Sequence, residues 1–240
     1  MHNHSDIVSS IHKTYPVTPH SLRMSQPKGP SICFKKDLEI GYRQTLAKFT
    51  DTVELGSGTH FLLARNGRGK TTLLRTLAGT LKPIHGKFRR QGFLQYLPED
   101  MRFDAELPPA TIFRMLLPKA QHTRAFELAE RIELDIRKSF GKLSTGNRRK
   151  TNLIVAELSA KHGVGNILLL DEPFSGLDAF ARAAFEEIWQ NSSDNVLRLV
   201  SCHPDYDSMK MPSALMIEGL SAHHLTGEDQ TWSRLKTQLN

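Results

Sequence analysis

Between residues 64 and 72 the chain reads Ala64, Arg65, Asn66, Gly67, Arg68, Gly69, Lys70, Thr71, Thr72. The small residues let backbone N–H groups wrap phosphate closely, and a helix beginning at the end of the loop adds the positive end of its dipole. Lys70 supplies a point charge for the β- and γ-phosphates of a nucleoside triphosphate, and the Thr71 hydroxyl is a ligand for Mg²⁺. The G-x-x-x-x-G-K-[ST] pattern opens on glycine, whereas this chain has Ala64, so a slightly adjusted turn is expected there. About a hundred residues further on, Ile167-Leu168-Leu169-Leu170 runs into Asp171, Glu172 and Pro173. An apolar strand that ends in two acids suits two tasks. Asp171 can hold Mg²⁺ directly or through water, and Glu172 can polarise a water that attacks the γ-phosphate.

Elements of the right kind surround these residues. Phe61-Leu62-Leu63 reads as a short buried strand ahead of the glycine loop, and 72–78 reads as a helix with Gly79 just past its end. Residues 87–97 read as β, broken at Gly92. Helices are expected over 111–117, 123–138 and 147–160, strands over 166–171, 196–201 and 214–217, and a helix over 178–189 with Ala181, Phe185, Ile188 and Trp189 on one face. This order implies an α/β fold, a core sheet with an inserted helical subdomain at about 105–160. Residues 1–30 are rich in Ser, Pro and His without periodicity and are expected to be a disordered tail. Residues 31–220 are expected to form the domain, and 221–240 a C-terminal extension.

The bulk composition restricts the partners. A formal charge of +7 and a pI near 9.5 invite a nucleic-acid reading. The basic residues are spread along the chain in short clusters such as Arg148-Arg149-Lys150, so no nucleic-acid partner is expected. Cys33 and Cys202 offer neither a disulfide framework nor metal-ligand spacing, which suggests a reducing compartment. Apolar runs such as 167–170 are far too short to span a membrane.

Taken together, the ordered motifs resemble those of the ABC (ATP-binding cassette) ATPase family over residues 35–218. Leu143-Ser144-Thr145-Gly146-Asn147 is similar to the family signature L-S-G-G-Q. Ser175-Gly176-Leu177-Asp178 is similar to its D-loop, His203 matches the switch histidine, and Tyr42 matches the aromatic residue that stacks on adenine. The resemblance implies a RecA-like P-loop core that binds ATP with Mg²⁺ and hydrolyses it, with Glu172 and His203 catalytic. It also implies head-to-tail pairing of two nucleotide-binding subunits, with Ser144 and Gly146 of one closing over ATP on the other.

Glu99, in Tyr96-Leu97-Pro98-Glu99, falls where the family places the Q-loop glutamine, so it joins Thr71 and Asp171 as a ligand for Mg²⁺ or its water. The resemblance implies an integral-membrane permease as partner, gripped by the helical insert, and a peripheral place on the cytoplasmic face of the inner membrane. Tyr-Leu-Pro-Glu and Leu-Ser-Thr-Gly look similar to ATPases of exporters, so export is the expected direction. Arg68 is unusual inside the loop, and two directions stay open for it: solvent or a facing subunit.

Overall fold

A computed structural model describes residues 29–161, 163–191, 195–201 and 209–239. The expected tail over 1–30 therefore lies almost wholly outside the described residues, as does His203. The chain enters through β1 (Ser31–Phe34), β2 (Glu39–Gly41), β3 (Thr45–Phe49) and β4 (Val53–Leu55), then reaches β5 (Gly58–Ala64) and helix α1 (Lys70–Ala78). Strands β6 (Phe88–Gln91) and β7 (Phe93–Leu97) follow, then helices α2 (Pro109–Leu116), α3 (His122–Arg131) and α4 (Thr145–Leu158). The chain continues through β8 (Asn166–Asp171), α5 (Ala179–Asn191), β9 (Val196–Ser201), β10 (Ser213–Glu218), β11 (Ser221–Thr226) and the short helix α6 (Trp232–Leu235).

The main sheet has the order β2-β3-β11-β10-β5-β9-β8-β7, and its β10-β5-β9-β8-β7 block is parallel. A smaller antiparallel sheet, β4-β1-β6, lies beside it. Gly92 separates β6 from β7, and the two strands join different sheets. Central parallel strands are covered on both faces, and β8 and β9 are buried at every position. Alternation sorts their side chains: Ile167 and Leu169 pack with Leu73, Leu74 and Leu77 of α1, while Leu168 and Leu170 pack with Phe185 and Trp189 of α5. Burying each such side chain contributes roughly 1.5–3 kcal/mol. The polar exception inside β9 is Arg198, whose guanidinium donates to Glu157 of α4 at 2.8 and 3.1 Å. Trp189 Nε1 donates to the same carboxylate at 2.7 Å, so sheet, α4 and α5 meet at one satisfied polar point.

Several boundaries differ from the sequence reading. Helix α3 stops at Arg131, not at 138, because Glu133 takes a left-handed φ of 54°. Leu134 N donates to Ala129 O and Glu133 N to Glu130 O, the crossed pair of a Schellman C-cap with glutamate in glycine's usual place. Helix α4 begins at Thr145, two residues earlier than expected, because Ser144 caps it: the Ser144 hydroxyl accepts from Asn147 N at 3.2 Å. The C-terminal residues are no appendage. Strand β11 pairs with β10 and β3 inside the main sheet, and Leu235 is buried in the core, so the domain continues past residue 220. The helical insert shares its core with the sheet, since Phe113, Leu128 and Leu153 belong to one cluster with Leu168 and Phe185.

Candidate nucleotide site

In an open parallel sheet, ligands bind beyond the carboxyl ends of the strands. Here those ends deliver the glycine loop after β5, the two acids after β8, and Ser201 at the tip of β9. They surround a cleft of about 720 Å³ whose lining includes Tyr42, Asn66, Lys70, Thr71, Glu99 and Glu172.

The loop is built as the sequence requires, with one correction. Gly67 and Gly69 sit at φ 74° and 104°, where any other residue would be strained. Ala64 does not need that freedom: it is the last residue of β5, buried, and absent from the residues with positive φ. An alanine therefore replaces the expected glycine without strain. The Ala64 carbonyl accepts from Lys70 Nζ at 3.2 Å, and the same ammonium lies 3.4 Å from Glu172 Oε1. Arg65, Asn66 and Thr72 also line the cleft, whereas Arg68 is exposed and outside the lining.

The acids are held rigidly. Thr71 Oγ1 donates to Asp171 Oδ1 at 3.2 Å, joining the two residues expected at the metal. Ser201 Oγ donates to Asp171 Oδ1 at 2.7 Å and accepts from Glu172 N at 2.9 Å. Tyr96 donates to Asp171 Oδ2 at 3.3 Å. Burial and the Asp171 charge push the Tyr96 phenol up to about 12, so it remains a donor. Glu172 is one of three non-glycine residues at positive φ among those described, at 45°. A non-glycine residue in this region costs about 1–3 kcal/mol and turns its side chain out of the strand direction.

Ser201 and Tyr96 were missed by motif reading. The β8–β9 register sets Asp171 opposite Ser201 and could have signalled the first of them. Thr71 and Asp171 offer the hard oxygen donors that Mg²⁺ takes, so their chemistry fits that ion, and Glu99 lines the same cleft.

Not all expected contacts gather here. Ser144 and Gly146 lie outside the cleft lining. A Cβ on Gly146 would stand 2.6 Å from Gly176 O, so the first turn of α4 packs directly on the turn before α5. Asp178 is also outside the lining of this chain's own cleft. Its Oδ1 accepts from Ala181 N at 2.7 Å and its Oδ2 pairs with Lys150 Nζ at 2.7 Å. The Lys150 ammonium and that backbone donor hold its carboxyl below the usual range. Asp178 thus caps α5 and ties it to α4.

Fold and cleft together define a P-loop nucleoside-triphosphatase. The family model described as ABC transporter matches residues 52–175. The manganese transport system ATP-binding protein MntB of Listeria monocytogenes is 26% identical over 195 residues, covering 70% of this chain and 78% of that protein. The zinc import ATP-binding protein ZnuC of Pseudomonas entomophila is 34% identical over 122 residues, covering 49% of this chain and 46% of that protein. A solved ATP-binding subunit of an ABC transporter superposes with a TM-score of 0.66 at 20% identity, covering 88% of this chain and 99% of its own, a likeness of fold. The chain belongs to the ABC transporter family, as an ATP-binding, ATP-hydrolysing subunit.

Proposed function

We propose that this chain works as one half of a nucleotide-sandwich pair and drives solute movement through an integral-membrane permease. The observation that carries this reading is the convergence of Lys70, Thr71, Asp171 and Glu172 at one cleft. Backbone N–H groups of the glycine loop cradle the phosphates of ATP, and Lys70 pairs with the β- and γ-phosphates. Thr71, Asp171 and Glu99 are the residues that would hold Mg²⁺, which would supply positive charge to the transferred phosphoryl group. Glu172 orients and polarises the attacking water. Tyr42, exposed at the cleft mouth, stacks on adenine. Ser144 and Gly146 are free of this chain's own cleft, which suits closure over the nucleotide of a second copy. His203 as a catalytic residue and Asp178 as a nucleotide contact are proposed from sequence alone.

The export direction expected from the sequence finds no support in the relatives, which are named for manganese transport and zinc import. Uptake of a divalent metal ion is therefore the direction and substrate class proposed. No described helix is long and apolar enough to cross a membrane. In this reading the chain sits peripherally at the cytoplasmic face and an integral-membrane permease supplies the pathway.

The test is Glu172→Gln. Hydrolysis should fall by roughly 10²–10⁴ while ATP affinity stays within a few-fold, because a water-positioning base is lost and the phosphate contacts are not. Light scattering should then show doubled mass on adding ATP. Near-normal turnover, or one mass with and without ATP, would reject the composite catalytic site.

A further inference from the structure

Helix α4 does more than present Ser144. One turn beyond its cap, Arg149 is buried and its guanidinium turns toward the segment leaving β7. Arg149 Nη2 donates to Glu99 O at 2.8 Å and Nη1 to Pro98 O at 3.4 Å. Asn152, three residues on and on the same helix face, donates Nδ2 to Met101 O at 3.0 Å. The segment also closes on itself, Met101 N donating to Pro98 O. Three carbonyls of residues 98–101 are thus held from one face of the helix that begins at Ser144.

Burial pushes the Arg149 guanidinium down from its ordinary value, and the carboxylates of Glu99, Asp171, Glu172 and Asp100 pull it back, so it stays charged. A planar fork reaches two carbonyls where an ammonium on a flexible stem reaches one. Five residues at about 1.5 Å each separate Arg149 from Ser144, roughly 7.5 Å along the axis. The two ends of this stretch therefore move as one rigid body.

We infer that Arg149 is a positioning residue: it fixes the backbone of Glu99 so that the Glu99 carboxylate is held at the Mg²⁺ side of the nucleotide cleft. This rests on the ATPase reading above and adds to it a specific device. Without the fork, the turn that carries Glu99 keeps its own Met101 N–Pro98 O bond and the Asn152 anchor, and loses both bonds to the carbonyls of Pro98 and Glu99.

The prediction has a diagnostic sign. Removing a buried cation beside four carboxylates should, by charge alone, tighten Mg²⁺ binding. Loss of positioning should weaken it. The experiment titrates Mg²⁺ into the full-length chain with a fluorescent ATP analogue, following binding and not only turnover. In Arg149→Met, analogue affinity without divalent ions should stay within about twofold of wild type, while the Mg²⁺ midpoint rises about tenfold. Steady-state kinetics should show kcat falling with little change in KM for ATP. Arg149→Lys should recover part of the Mg²⁺ response, through one donor in place of two.

If Arg149→Met does not fold, the Glu99→Gln, Arg149→Lys and double variants form a cycle. Both act through Glu99, so their Mg²⁺ shifts should be strongly non-additive. A Mg²⁺ midpoint in Arg149→Met that is unchanged or lower, or additive shifts in the cycle, overturns the inference. Failure of the wild-type chain to bind the analogue at all would instead overturn the ATPase reading.

Discussion

At residue 172 a glutamate is held at φ 45°, and the atom that holds it belongs to another strand: Ser201 Oγ accepts its N–H and donates to Asp171. One hydroxyl thus serves both acids, and strain at Glu172 persists because its neighbour over-determines the turn. Ser201→Ala should leave the Glu172 N–H without that acceptor, at a cost of about 1–3 kcal/mol. Hydrolysis should drop about tenfold or more as Glu172 relaxes, while ATP affinity, set by Lys70 and the loop, changes less than about threefold. Steady-state turnover measured beside nucleotide titration separates the two; equal losses in both would show that Ser201 supports the whole cleft rather than the acids. The residue types at this site were legible from the sequence wherever they lie in one run, as 64–72 and 171–172 do. Tyr96 and Ser201 were not, because each meets Asp171 only through the pairing of β7, β8 and β9.

Strands make a second polar connection, at the ends of β5 and β10 opposite the glycine loop. His60 of β5 donates Nε2–H to Gly56 O at 2.9 Å, since a carbonyl can only accept. Its Nδ1 then accepts from Ser213 of β10 at 2.6 Å, and Ser213 Oγ accepts from His224 Nε2 of β11 at 2.7 Å. This chain of bonds needs His60 neutral, because its Nδ1 must accept, and burial lowers both imidazoles from the ordinary value of 6.5. The sign follows. The unfolded chain binds these protons more readily, so stability is full above about pH 6.5 and drains as pH falls below it toward the folded values. The urea midpoint of wild type should therefore fall from about pH 7.5 to about pH 5.5, and fall less in His60→Gln, which keeps an amide for the contacts but cannot titrate. Equal pH slopes in the two proteins would remove this histidine chain from the stability argument. Periodicity located β5 and β10 correctly, yet the link among His60, Ser213 and His224 is a matter of strand order, which spacing along the chain does not encode.

At the scale of the whole molecule, the surface proposed to meet a permease is a patch where apolar side chains stay uncovered. Met101, Met115 and Leu116 are 37%, 67% and 49% exposed. Met101 and Leu116 line a groove of about 260 Å³ that also receives Phe103 and Val155. Phe113 is fully buried, and Phe103 packs edge-on against Phe140 at 5.5 Å. Exposed apolar patches beside a groove mark interaction sites, and charge placed there costs binding rather than folding. Met115→Glu and Leu116→Glu should retain the basal ATPase rate within about twofold and lower the membrane-bound fraction several-fold. Fractionation of cell extracts with turnover on the same samples checks both arms. Wild-type protein found with ribosomes or DNA in place of membranes would favour a soluble ABC ATPase.

Sequence alone determined the catalytic vocabulary: a glycine loop opening a helix, a strand ending in Asp171 and Glu172, and the L-S-T-G cap at 143–146. These are local patterns, and local backbone geometry, phosphate chemistry and helix capping are written in consecutive residues. Tertiary structure decided the rest. It set Ala64 at a strand end, where no positive φ is needed, and turned Asp178 toward Lys150 instead of the cleft. It drew β11 and α6 into a domain the composition had ended at 220. It also brought Arg149 of α4 against Pro98 and Glu99, some 50 residues away along the chain. Each of these depends on which elements lie side by side, and that is settled by burying two faces of one sheet at once, a condition no single segment carries.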